Sequence, residues 1–170
     1  LDLGMQPLAN KYLSKKRRGN FYHLEVGINI KTKLVSILHI VPYKKMFDNK
    51  YPYRSSMSQT MLKSFKNLSK KITKLFGPSS IMEIGSNDGS FVKNFNKSKI
   101  ICVEPCKNLA RITKKMGYKT YGEFWDKKLA KKIKSNVKNV DLIYAANTLS
   151  HIENLDSVFN SITYVLSDNG

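Results

Sequence analysis

The sequence predicts an α/β protein: a parallel sheet, incomplete at about four strands, preceded by a small β-rich appendage. Three observations predict it. From Ser79 onward, short apolar runs alternate with amphipathic stretches, the signature of repeated β–α units. One of those runs, Ile81-Met82-Glu83-Ile84, feeds directly into the turn Gly85-Ser86-Asn87-Asp88-Gly89-Ser90. Residues 1–54, by contrast, carry no helical period.

Within the appendage, Leu1 to Asn10 reads as a short strand and turn, Phe21 to Ile30 alternates loosely, and Lys33 to Ile40 is a β-like run ending at Pro42. Two strands alone are marginal in water, so this region needs a packing partner or a staple. The basic run Lys15-Lys16-Arg17-Arg18, closed by Gly19-Asn20, reads as a solvated loop. Tyr51-Pro52-Tyr53-Arg54-Ser55-Ser56 then forms an aromatic and hydroxyl cluster whose serines are placed to cap a helix. That helix has the clearest period in the chain, with Met57, Met61, Leu62, Phe65, Leu68, Ile72, Leu75 and Phe76 mostly three or four apart and Gly77-Pro78 ending it.

The α/β region is expected to run as strand Ile81–Ile84, helix from about Ser90, strand Ile100–Glu104, and helix from about Lys107 to Met116. A short strand at Tyr118–Tyr121 follows, then a helix from about Phe124 to Ile133, strand Val140–Ala146 and a last helix from about Leu155 to Leu166. Such a succession predicts a parallel sheet covered on both faces.

Composition narrows the classes. The 170 residues suit one domain plus an appendage, and 41% hydrophobic content is a globular value. No run reaches membrane-spanning length, no signal peptide opens the chain, and Cys102 and Cys106 make no disulfide framework, so a reduced cytoplasmic protein is expected. The formal charge is +18, but only four of the 30 basic residues are arginine and the rest are lysine. Lysine spread without interleaved aromatics reads as solvated surface rather than a nucleic-acid interface.

The glycine turn is the first site. Its two glycines stand four apart, without G-x-G-x-x-G spacing, so it is no dinucleotide fingerprint. An acidic residue beside the second glycine repels a pyrophosphate and suits a ligand with cationic or hydroxyl groups, of which S-adenosylmethionine is the common one. Glu104, about twenty residues on at a strand end, is placed to accept hydrogen bonds from ribose hydroxyls, next to Pro105. Asp88 reads equally as a cofactor-facing carboxylate or as a helix N-cap. The third site is Asn147-Thr148-Leu149-Ser150-His151-Ile152, just past the fourth strand, where His151 can move a proton or simply satisfy a helix start. His23 and His39 read as structural, and the two cysteines form no metal set.

Taken with Leu3-Gly4-Met5-Gln6-Pro7-Leu8-Ala9-Asn10, Met46-Phe47 and the Tyr51–Ser56 segment, these sites resemble the sugar C-methyltransferases. The resemblance implies a Rossmann-like class I methyltransferase sheet in residues 55–170 and a remnant of an N-terminal zinc-binding-like module in residues 1–54. It implies S-adenosyl-L-methionine as cofactor, held by Glu83, Gly85, Ser86, Asn87, Asp88, Gly89, Glu104, Pro105 and Asn147. It implies a nucleotide-linked (dTDP-type) keto-deoxysugar as substrate, methylated at carbon through an enolate, with His151, Tyr51 and Tyr53 in catalytic roles. The family's zinc is held by two C-x-x-C pairs. The second aligns with Glu25–Thr32, where Asn29 and Thr32 stand at the cysteine positions, so no zinc is expected there. A complete sheet of that family has seven strands, and its C-terminal sugar-binding domain has no counterpart here. The expectation is therefore a fragment, or a sheet that another chain completes. An O- or N-methyltransferase on another small metabolite, a basic RNA-binding or RNA-modifying protein, and a non-catalytic remnant are the alternative readings.

Overall fold

A computed structural model describes residues 1–13, 19–96, 99–137 and 139–170. The basic run expected as a solvated loop lies outside them, apart from its closing Gly19-Asn20. The chain divides into two compact units, Leu1–Pro52 and Tyr53–Gly170.

The N-terminal unit is a three-stranded antiparallel sheet in the order β1-β2-β3, built from β1 (Asp2–Pro7), β2 (Phe21–Ile28) and β3 (Val35–Ile37). Asp2 pairs with Glu25 and Met5 with His23, and the register shift between them falls at Gly4, whose φ of 67° needs no Cβ to be accommodated. Val26 pairs with Ile37 and Ile28 with Val35. At the bend between β2 and β3, Asn29 Oδ1 accepts from the N–H groups of Lys31 and Thr32, each at 3.0 Å. Asn29 thus caps a turn, and neither it nor Thr32 offers a thiolate, so this hairpin does not fit a zinc held by cysteines. A single helical turn, α1 (Tyr43–Met46), follows. No described residue of this unit is buried.

The second unit opens with α2 (Gln59–Phe76). Its N-cap is Ser58, whose Oγ accepts from Met61 N at 3.2 Å, rather than the serines expected two and three residues earlier. Ser55–Met57 instead make a 3-10 turn. Gly77, left-handed at φ 50°, closes the helix by donating to Thr73 O. Phe65 and Ile72 of its apolar stripe are buried, whereas Met57, Leu75 and Phe76 stay exposed.

The main sheet is wholly parallel, in the order β6-β5-β4-β7, from β4 (Ile81–Ile84), β5 (Ile100–Val103), β6 (Lys119–Tyr121) and β7 (Leu142–Tyr144). Side-chain alternation splits the core into two layers. Met82, Ile84, Ile101 and Val103 meet Leu129 and Ile133 of α4 (Lys127–Asn136) and Val158 and Val165 of α5 (Leu155–Val165). Ile81, Ile100 and Cys102 meet Phe65 and Ile72 of α2, with Phe91 and Val92. Between β5 and β6 runs α3 (Lys107–Lys115), which buries Leu109 and Ala110. The α/β class and the parallel sheet stand as expected.

Three local expectations fail. Among the described residues between the glycine turn and β5 there is no α-helix: Val92–Asn94 is one 3-10 turn, and Asn94 Nδ2 donates to Phe91 O at 2.8 Å and to Ser90 O at 3.3 Å. The side chain takes carbonyls that a helix would have used. The strand expected over Val140–Ala146 shortens to Leu142–Tyr144. Val140 makes a parallel bridge to Leu166 instead, and the backbone N–H groups of Asp141 and Leu142 both donate to Ser80 O. The helix expected from Phe124 begins at Lys127, because Asp126 Oδ1 caps it from Leu129 N at 2.7 Å while Trp125 is buried in the core. Among the described residues, no helix is long and apolar enough to cross a membrane.

Candidate active site

The strand order turns at β4: the next strand, β5, lies on one side of it and β7 on the other. A crevice forms outside the carboxyl ends at such a point, and ligands of open α/β sheets bind there. Three loops meet at this place, those following β4, β5 and β7.

The β4 loop is pinned from below. Gly85 N and Ser86 N both donate to Val103 O, at 2.8 and 3.1 Å, and Gly89 N donates to Ser86 O at 2.9 Å. Gly85 sits at φ 76°, and a Cβ there would stand 2.9 Å from Thr148 Cγ2 and 3.1 Å from Thr148 Cβ, with Oγ1 closer still. Only glycine lets the β4 loop lie against the β7 loop. Asn87 is also left-handed, at φ 50°, a conformation its residue type tolerates better than most.

Glu104 ties the β4 and β5 loops together. Its Oε2 accepts from Asn87 N at 2.7 Å and its Oε1 from Cys106 N at 2.8 Å, at the start of α3. The carboxylate is 4% exposed, and this burial raises its pKa despite the two N–H groups, which pull the other way. The helix terminus that the sequence places after the glycine turn is therefore found one crossover later, where α3 begins beside Glu104.

Asp88 caps no α-helix, because the element that follows it is the 3-10 turn Val92–Asn94. Its Oδ1 accepts from Ser90 Oγ at 2.6 Å and its Oδ2 from Ser56 N at 3.1 Å. Asn87 acts alongside it: Oδ1 accepts from Ser55 N at 3.0 Å and Nδ2 donates to Tyr53 O at 3.3 Å. Together they strap Tyr53–Ser56 onto the glycine loop, with Tyr53 itself exposed. Sequence reasoning placed these two segments near one ligand but did not foresee that they bond to each other.

Glu83 lies one layer deeper. It is buried on the α2 side of the sheet, in register with Cys102 on β5 and Tyr144 on β7. Burial, with the Glu104 and Asp88 charges nearby, raises its pKa well above the usual carboxylate range. Its Oε2 finds no hydrogen-bond partner among the described residues. The Cys102 thiol is pushed up to about 12, chiefly by burial and also by Glu83. It is inert as a nucleophile.

An aromatic group that the sequence did not reveal supports this layer. Tyr144 stacks on Phe91 with centroids 3.9 Å apart, and Phe65 meets the two rings edge-on at 6.5 and 5.5 Å. The only signal was three separate aromatic residues in segments far apart in the chain.

On the β7 side, Asn147 is left-handed at φ 52° and exposed, and His151 is exposed on a one-turn helix, Leu149–His151. Pro105 is half-buried behind Glu104. Glu83, Gly85, Ser86, Asn87, Asp88, Gly89, Glu104, Pro105, Asn147 and His151 therefore lie on or just below the loops at this end of the sheet. Tyr51 belongs to the N-terminal unit, where its hydroxyl accepts from Asn10 Nδ2 at 3.3 Å and its ring lies 5.4 Å from that of Phe47.

No protein-family model and no curated protein matches the sequence. Solved structures do resemble the fold. A structure of the plantazolicin methyltransferase BpumL in complex with SAH is 17% identical and superposes with a TM-score of 0.51, over 67% of this chain and 47% of that one. A Methanococcus maripaludis protein, provisionally classed as an S-adenosyl-L-methionine-dependent methyltransferase, is 18% identical with a TM-score of 0.52, over 78% of this chain and 65% of its own. The plantazolicin methyltransferase BamL, in complex with a triazolic desmethylPZN analog and SAH, is 22% identical with a TM-score of 0.46, over 63% and 41%. The chain thus spans roughly two fifths to two thirds of the lengths of these proteins, and at such identities the likeness is one of fold.

Proposed function

We propose that residues 53–170 bind S-adenosyl-L-methionine at the β4, β5 and β7 strand ends and serve methyl transfer. The observation that carries this reading is the gathering of Asp88 and Glu104 at a turn where Gly85 leaves no room for a Cβ, in a chain of formal charge +18. A local excess of carboxyl groups in a basic protein favours a cationic ligand with hydroxyls. The fold is that of the solved BpumL complex with SAH, which supports the same cofactor here.

The donor set fits. A carboxylate offers about four lone-pair sites, and backbone N–H groups use two of them on Glu104, which leaves acceptor capacity for a ribose diol. Gly85, Ser86, Asn87, Asp88 and Gly89 would line the cofactor, with Pro105 and Asn147 at its margins and Glu83 beneath. S-adenosylmethionine, when bound, supplies an electrophilic methyl group on sulfur. The chain's part is to orient the acceptor and move its proton. His151, exposed at the rim, would hold or pass that proton, and Tyr53 would orient the acceptor from its strapped segment.

The acceptor class rests on the resemblance of Leu3–Asn10 and Tyr51–Ser56 to the sugar C-methyltransferases: a nucleotide-linked keto-deoxysugar, methylated at carbon. Titration calorimetry with S-adenosylmethionine tests the cofactor. We expect one site per chain, weakened at least tenfold by Glu104→Ala, and no heat at high ligand excess would refute it. For the acceptor, a dTDP-keto-deoxysugar deuterated beside its ketone should lose deuterium as it gains the methyl. A methyl group recovered on oxygen or nitrogen would overturn the carbon reading.

A further inference from the structure

The N-terminal unit poses a stability problem. It has 52 residues, no cysteine and no buried residue among those described. Units of this size without an apolar core of their own normally depend on a disulfide, a metal or a partner. The hairpin that would carry a zinc held by cysteines has Asn29 and Thr32 in the ligand positions, and Asn29 is committed to its turn.

A different set of ligands converges nearby. His23 and Glu25 are two apart on β2, so both point to one face of the sheet. A bend at Leu38–His39, just past β3, brings the His39 ring over the same face, where it stacks on His23 with centroids 4.5 Å apart and planes 22° from parallel. His39 Nε2 lies 3.0 Å from Glu25 Oε2, and one ligand atom from each of His23, Glu25 and His39 falls within 4.8 Å of the others. Asp2, on β1, stands behind this group with Oδ1 2.8 Å from His23 Nε2.

We propose that His23, Glu25 and His39 bind a divalent first-row transition ion that fastens β2 to the segment following β3. Two imidazoles and one carboxylate suit zinc and its neighbours far better than calcium or magnesium, which take oxygen ligands. Bonds of about 2.0–2.2 Å place tetrahedral ligands about 3.4 Å apart, so the cluster closes on an ion by small rotations of partly exposed side chains. The four side chains are between 35% and 58% exposed, which leaves a path for the ion and room for water as a further ligand. Asp2 either supplies the fourth ligand or accepts from the far nitrogen of His23, fixing its tautomer as outer carboxylates do. Clustered histidines, whose charges would repel when protonated, are thereby turned into a cross-link.

The test uses the whole chain without an affinity tag. Calorimetric titration with zinc chloride should show one equivalent bound per chain at micromolar affinity or better. The paired change His23→Gln with His39→Gln should weaken it at least 100-fold, and Glu25→Gln at least tenfold, with the far-UV circular dichroism of each variant matching the parent. As a readout independent of any variant, zinc should slow amide hydrogen exchange in the parent over residues 21–39. No binding at about 100 μM zinc, undiminished affinity in the paired variant, or unchanged exchange over 21–39 would each overturn the proposal.

Discussion

Gly85→Ala is the sharpest probe of the contact that builds the crevice. Two costs combine. A non-glycine residue held in the left-handed region costs about 1–2 kcal/mol, and Gly85 sits at φ 76°. The new methyl group would also stand 2.9 Å from Thr148 Cγ2 and 3.1 Å from Thr148 Cβ. Rotating Thr148 cannot relieve the second of these, because Cβ does not move with χ1, and overpacking of this kind costs roughly 1–3 kcal/mol. The expected loss is therefore about 3 kcal/mol, on the order of 10 °C in the melting temperature of a unit this size. Denaturant unfolding of Gly85→Ala, Thr148→Ala and the double variant measures it. Removing Thr148 Cγ2 and Oγ1 should recover at least about 1 kcal/mol of the alanine's cost, as neighbouring residues couple, while the backbone strain and the contact with Thr148 Cβ persist. A Gly85→Ala protein within about 0.5 kcal/mol of the parent, or strict additivity in the double variant, would refute the packing of the β4 loop on the β7 loop.

Three further outcomes follow from the same geometry. Glu83 has its folded pKa raised above its unfolded value, so the folded state holds the proton longer and stability falls as pH rises from about 4.5 toward the folded pKa. Glu83→Gln should abolish that decline, gaining on the parent by about 1.4 kcal/mol for each unit of elevation, and a constant difference between the two across pH 4–8 unfolding curves would contradict it. Asp88→Ala removes the acceptor for Ser56 N and Ser90 Oγ, which predicts a loss of roughly 1–3 kcal/mol and faster amide exchange at Ser56; unchanged exchange there would count against the strap. His151→Ala, at an exposed position, should leave stability within about 0.5 kcal/mol and cofactor affinity unchanged while lowering turnover by 100-fold or more, and full turnover would remove His151 from the chemistry.

What the sequence disclosed depended on how local the cause was. β4 and β5 are short runs buried on both faces, so continuous apolar β-formers announced them. The α2 period survives because most of one stripe packs on the sheet, although Leu75 and Phe76 near its end do not. The glycine turn and Glu104 were legible as residue types at a spacing. The missing helix after Gly89 was not, because it turns on Asn94 taking two carbonyls, a choice that propensity cannot rank. Trp125 looked like the start of a helix and is instead a core residue ahead of the Asp126 cap. Glu83 in an apolar strand gave no hint of how far its pKa is raised, which arises first from its complete burial and then from the Glu104 and Asp88 carboxylates. His23 and His39 looked structural one at a time, and only the bend after β3 brings them together.

The crevice at the β4 turn is proposed to bind S-adenosylmethionine through its carboxylates. Calorimetric titration of the cofactor into the parent and into Glu104→Ala tests it most directly. A single site in the parent and at least a tenfold loss of affinity in the variant are expected. Equal affinity in the two proteins, or no binding in the parent at millimolar cofactor, would contradict it.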